Sequence, residues 1–159
     1  LGEGKQDEME YYKKIREYVG KEPLLLPGAV VVIVNDRNEI LLQQRPESLW
    51  GLPGGLMDLG ESMEEVAKRE VREETGLVVE NLSFVQLFSG KEFFVRTKNG
   101  DQFYAITAVY MTNDYSGKLT TNSEETLSAQ FFPIEQLPSG LIENYQKYIE
   151  PVKQLLKQP

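Results

Sequence analysis

The 159-residue sequence contains no cysteine and no histidine. The first absence removes disulfides, thiolate metal ligands and cysteine nucleophiles, and suits a cytoplasmic protein in a reducing compartment. The second removes the commonest general base and zinc ligand. Acid–base work must then fall to carboxylates, lysine or tyrosine. Basic residues are in deficit, 17 Lys and Arg against 25 Asp and Glu, for a net charge of −8. That balance argues against a nucleic-acid polymer held on a broad basic surface. It leaves room for a small phosphorylated ligand that brings its own cation. No apolar run approaches the ~18 residues of a membrane span, so no membrane partner is expected. Leu1-Gly2-Glu3-Gly4-Lys5-Gln6 does not read as a signal peptide. No repeat or low-complexity stretch interrupts the chain. A hydrophobic content of 40% and a charged content of 26% are ordinary for a globular chain. The length suits a single domain over residues 1–159 with a proper core.

What is present reads as alternating strands and helices. Asp7 to Val19 carries Met9, Tyr12, Ile15 and Tyr18/Val19 at helical spacing, which makes 1–20 an N-terminal helical segment. Its stripe suits core packing or a homodimer contact. Val30 to Val34 is a β-branched run typical of a buried strand. A turn at Asn35–Glu39 leads to a second strand, Ile40 to Arg45. Val78 to Phe88 reads as a strand with a break. Asn99-Gly100 marks a hairpin joining Phe93–Thr97 to Gln102–Met111. Gly117 marks a further turn, and Leu127 to Phe132 a last strand. Residues 141–157 form a C-terminal helix in which Pro151 forces a kink or a stop. Trp50, Phe88, Phe93, Phe94 and Tyr104 suit core packing better than base stacking.

The richest segment is Gly55 to Leu77. Ser62 stands at an N-cap and Glu65 three residues on, the spacing of a capping box. Met63 to Thr75 holds neither proline nor glycine, and Gly76 reads as a left-handed stop. Upstream, Leu52-Pro53-Gly54-Gly55-Leu56 reads as a loop whose glycines allow positive φ and close backbone approach. On a helical wheel with Glu70 at zero, Glu73 falls near about 300° and Glu74 near about 40°. Met63, Val66, Ala67 and Val71 lie on the same side. Three carboxylates thus share the apolar face, while Glu64, Glu65, Lys68, Arg69 and Arg72 fill the opposite arc. Glu64 with Lys68, and Glu65 with Arg69, suit exposed i,i+4 pairs. The inward triad repels itself and is costly to bury. Arg69 can reach Glu73, but one arginine leaves two charges over. A hard dication with oxygen ligands, Mg²⁺ or Mn²⁺, is the natural neutraliser. Arg45, closing a strand just before the glycines, suits either a phosphate contact or a surface ion pair.

The spacing G-x5-E-x7-R-E-U-x-E-E-x-G-U, with U aliphatic, runs from Gly55 through Glu61, Arg69, Glu70, Glu73, Glu74 and Gly76 to Leu77. It resembles the Nudix box at every fixed position. Seven identities at ordinary usage give a chance match of about 10⁻⁹ per starting position. The flanking Gly28–Arg45, Trp50–Gly55 and Phe131–Pro138 resemble the family's other elements in the right order. The resemblance implies an α/β fold, a Nudix-type α/β/α sandwich with a mixed sheet and a glycine loop–helix motif at 55–77. It also implies a MutT-like hydrolase that cleaves the pyrophosphate of a nucleoside diphosphate linked to another moiety, using metal-activated water. By that likeness Glu70, Glu73 and Glu74 hold Mg²⁺ (or Mn²⁺) with the Gly54 carbonyl, and Glu70, Glu73 and Arg69 carry the catalysis. Arg45, Gly54 and Gly55 meet the substrate. A general base outside the box would be Glu124 or Glu125, which read equally as an ordinary acidic loop. A small nucleotide is the expected partner. A catalytically silent nucleotide-binding module of the same family is the alternative, although such modules usually lose the box glutamates. Marks of particular branches are absent. No proline occurs between Pro53 and Pro133, where ADP-ribose hydrolases often carry one, so a nucleoside triphosphate or a nucleotide-sugar-like diphosphate is left as a broad option.

Overall fold

The computed structural model describes residues 10–120 and 126–158. Helix α1 (Tyr11–Val19) precedes the long strand β1 (Leu24–Ile33). Then come β2 (Glu39–Gln44), β3 (Trp50–Gly51), β4 (Gly54–Leu56) and helix α2 (Met63–Thr75). Strands β5 (Val78–Val79), β6 (Ser83–Phe88), β7 (Phe94–Arg96), β8 (Gln102–Thr112), β9 (Tyr115–Ser116) and β10 (Ser128–Pro133) follow. Helix α3 (Tyr145–Lys157) closes the chain.

The main sheet runs β4-β1-β8-β6, with β7 also on β8. It is mixed, because β1 lies parallel to β8, in register from Leu24–Phe103 to Ile33–Thr112, while β4, β6 and β7 are antiparallel to their neighbours. A smaller antiparallel sheet, β10-β2-β3, stands beside it. Alternation along β1 divides the core. Ala29, Val31 and Ile33 meet Val66, Ala67 and Val71 of α2. Val30, Val32 and Val34 belong to the other cluster, with Tyr148, Ile149 and Val152 of α3. One helix therefore covers each face of the strand, and the α/β sandwich is observed. A strand buried on both sides must be apolar at every position, which is why Val30 to Val34 carries no polar alternation.

Three expectations need correction. Leu52–Leu56 is not all loop, since Gly54–Leu56 pairs with β1 through Gly28↔Leu56, Ala29↔Gly55 and Val30↔Gly54. Neither Gly54 nor Gly55 has positive φ. Their lack of a side chain is needed for space, because a Cβ on Gly54 would strike the Ala29 carbonyl and one on Gly55 the Glu70 carboxyl. The C-terminal helix begins at Tyr145 rather than 141, and it continues through Pro151 to Lys157. Leu141 instead forms a parallel bridge with Trp50. Phe88 and Phe93 pack with Tyr148 in the core, and Trp50 lies edge-on to Phe132 at 4.9 Å.

Candidate active site

Helix α2 is anchored at both ends as its sequence requires. The Ser62 hydroxyl accepts from the Glu65 amide at 3.1 Å, and the Ser62 amide donates to the Glu65 carboxylate at 3.3 Å. Gly76 closes the helix at φ 80°. This fixes the rotation of the helix, and so the direction of each glutamate.

Glu74 is directed inward, with 6% of its surface exposed. Its Oε1 accepts the Gly54 amide at 2.9 Å, and its Oε2 accepts the Gln43 side-chain amide at 2.7 Å. The Arg45 guanidinium stands 3.7 Å from the same Oε2. Burial weakens the acidity of the Tyr145 hydroxyl, and the charge of Arg45 partly restores it.

Glu70 lies against Gly55, where an added Cβ would come within 2.5 Å of its carboxyl carbon. Burial, then the charge of Glu74, pushes the Glu70 carboxyl up to about 8, although Arg69 pulls the other way. Loss of hydration and a like charge both disfavour the anion.

Arg69 is the hub. Its Nε and Nη2 donate to the two Glu61 oxygens at 2.6 and 2.9 Å, a bidentate pairing. Nη1 donates to Glu70 at 2.7 Å and to Glu73 at 3.3 Å, and Nη2 reaches the Leu56 carbonyl at 3.2 Å. Glu61 in turn accepts the Asp58 amide at 2.8 Å. Glu61 above all, and then Glu70, hold the Arg69 guanidinium protonated against the opposing effect of burial.

Here the helical-wheel expectation fails at two positions. Arg69, assigned to the solvent arc, keeps only 23% of its side chain exposed. Its long stem bends back to Glu61, so Glu65 is left to the cap and does not pair with it. Glu73, assigned to the inward face, is 55% exposed. It sits at the rim of the apolar stripe, where a long carboxylate side chain keeps its hydration by turning outward. Glu124 and Glu125 lie outside the described residues.

The donors suit a hard dication in chemistry: they are oxygens only, and one carboxyl, Glu70, is raised in pKa by burial and then by the charge of Glu74. Among the described residues no three acidic side chains converge as a finished cage. Glu70 and Glu74 supply the fixed part, and the exposed Glu73 is tied only by Arg69 at 3.3 Å among the bonds above.

The NUDIX domain family model matches residues 24–155. The chain belongs to the Nudix hydrolase family. It is 32% identical over 136 residues to the ADP-ribose pyrophosphatase of Methanocaldococcus jannaschii, covering 80% of this chain and 76% of that one. It is 30% identical over 123 residues to the NAD-capped RNA hydrolase NudC of Vibrio parahaemolyticus, covering 73% of this chain but 42% of that longer one. In three dimensions it is similar to the MutT NUDIX hydrolase of Burkholderia pseudomallei, at a TM-score of 0.70 and 28% identity over 82% of this chain and 99% of that one.

Within this Nudix site, sequence reasoning missed three participants. Gln43 touches Glu74, Thr126 touches Gln43, and Tyr145 lies within the field of Arg45. Gln43 had a signal: it is the polar residue that ends the apolar run Ile40-Leu41-Leu42. Thr126 and Tyr145 had none, because their roles depend on chain segments far apart in sequence.

Proposed function

We propose that the chain is a Mg²⁺-dependent hydrolase that cleaves the pyrophosphate bond of a nucleoside diphosphate linked to another moiety. The observation that carries this reading is the placing of Glu70 and Glu74 from one helix against the close-packed Gly54–Gly55 backbone, with Arg69 bridging Glu70 to the exposed Glu73 on the same helix. Glu70, Glu73 and Glu74, with the Gly54 carbonyl, would hold the cation. When bound, Mg²⁺ offsets phosphate charge, polarises phosphorus and acidifies a water. Arg69 orients Glu70 and Glu73 while remaining protonated itself. Arg45, with 24% of its side chain exposed, neutralises Glu74 and reaches toward a substrate phosphate. Gly55 keeps the wall of the site thin so that the substrate can approach Glu70. Glu124 and Glu125 are the candidates for a base outside the box. The net charge of −8 supports a small nucleotide over a polymer. The absence of cysteine suits the cytoplasm.

The names of the relatives support a panel that includes ADP-ribose and NAD beside nucleoside triphosphates and nucleotide sugars. The expected result is release of a mononucleotide from at least one diphosphate-linked member, read by chromatography. EDTA should abolish it and Mg²⁺ restore it. Glu73→Gln should cut turnover by about 10²-fold or more, the loss expected when a catalytic electrostatic or proton-transfer group goes. Wild-type turnover that survives chelation would refute the metal mechanism. A chain that binds these nucleotides but hydrolyses none would be the silent binding module.

A further inference from the structure

Gln43 plays no part in the reading above, yet its setting is unusual. It has no exposed surface. It lies two residues after Leu41 on β2, so its side chain leaves the strand on the same side. Leu41 packs in the cluster beneath α2. Leucine would extend that row without cost, whereas a buried amide is costly unless both of its ends are partnered. Both are. Nε2 donates to Glu74 Oε2 at 2.7 Å, and Oε1 accepts the Thr126 hydroxyl at 3.0 Å. Thr126 is itself 2% exposed. Three buried polar side chains are thus joined in sequence, from Thr126 just before β10, through Gln43 on β2, to Glu74 in the last turn of α2.

This line has a direction. A carboxylate only accepts, so the amide must present its nitrogen to Glu74. A flip is opposed at Glu74, where it would set the amide oxygen against the carboxylate, and the Thr126 hydroxyl holds the opposite end by donating to Oε1. Glu74 then receives two neutral donors from two different strands, Gln43 on β2 and the Gly54 amide on β4. Donors from two directions fix the plane of the carboxylate as well as its position.

We propose that Gln43 is a positioning residue of the metal site: it sets the orientation in which Glu74 meets the cation, and Thr126 locks the amide that does so. This rests on the assignment of Glu74 as a metal-holding carboxylate made above.

The test is a Mn²⁺ titration of the full chain, with free ion read by electron paramagnetic resonance well below the melting temperature. The variants are Gln43→Leu, Thr126→Val and Thr126→Ser, each melted in parallel by circular dichroism. Gln43→Leu is expected to weaken Mn²⁺ by about 10- to 100-fold, the usual loss when the partner of a ligand is removed. Thr126→Val should lose a smaller factor, and Thr126→Ser, which keeps the hydroxyl, should restore it. A Gln43→Leu protein that melts earlier but binds Mn²⁺ like wild type would overturn the proposal, since that is the behaviour of a merely structural amide. If Gln43→Leu does not fold, Thr126→Val decides, and wild-type affinity there overturns the proposal equally. A wild-type chain that takes up no Mn²⁺ removes the metal assignment itself, and this proposal with it.

Discussion

Gly55 shows how one residue can be chosen by what it must not contain. Its backbone is in ordinary strand conformation, so alanine meets no torsional obstacle. The obstacle is the Glu70 carboxyl, which an added Cβ would approach to 2.5 Å. Gly55→Ala should therefore leave the melting temperature near wild type while displacing Glu70. A shift of about 1 Å at a reacting site can cost about 10²-fold in rate. Steady-state kinetics beside a thermal melt would show this, and unchanged turnover would mean that Glu70 needs no fixed position. At this scale the sequence was legible where function depends on spacing along one helix. Glu70 and Glu74 turn inward as their angular positions require. Arg69 and Glu73 exchange sides because a wheel places Cα atoms, while long side chains follow their partners. Gln43 is invisible to a wheel, since its meaning depends on Glu74, 31 residues away in the chain.

Elements follow local rules more closely. The bounds of α2 match those read from Ser62, Glu65 and Gly76, because capping is an interaction among near neighbours. Ser62→Ala should lower stability by about 1 kcal/mol, the usual value of an N-cap. Gly76→Ala should cost more. A left-handed residue with a Cβ costs roughly 1–2 kcal/mol, and here that atom would also meet the Thr120 hydroxyl at 2.6 Å. Urea titrations of both variants check the order, and a Gly76→Ala protein as stable as wild type would contradict it. Helix α3 went the other way. Proline inside a helix costs about 3 kcal/mol, which predicts a kink or a stop at Pro151, and the stop does not occur. Tyr148 and Ile149 before it and Val152 after it are all buried, and each buried apolar side chain contributes roughly 1.5–3 kcal/mol. Burial on both sides of the proline holds the helix together. For β4 the glycines signalled a loop, and only the presence of β1 alongside turns them into a paired strand.

The whole molecule brings the charges together and makes their sum depend on pH. A buried carboxyl raised from 4.5 to about 8 binds a proton more tightly folded than unfolded. Its contribution to stability is fully present below about pH 4.5 and is lost as pH rises through about 8. In chelator, Glu70→Gln mimics the protonated form, so its melting temperature should exceed that of wild type by a margin that grows from pH 5 to pH 8. A constant margin would show that Glu70 ionises as an exposed carboxyl does. Mg²⁺ should shrink the margin at the high end by stabilising the wild-type anion. The sequence alone determined the family, the boundaries of the box helix, the buried central strand and the carboxylates that the box helix carries. Each follows from contacts within a few residues or from residue chemistry itself. Tertiary structure decided which carboxylates are buried, what Arg69 grips, why Gly54 and Gly55 must lack side chains, and that Gln43 and Thr126 stand behind Glu74. Those depend on segments that only the packed sheets bring within hydrogen-bond reach.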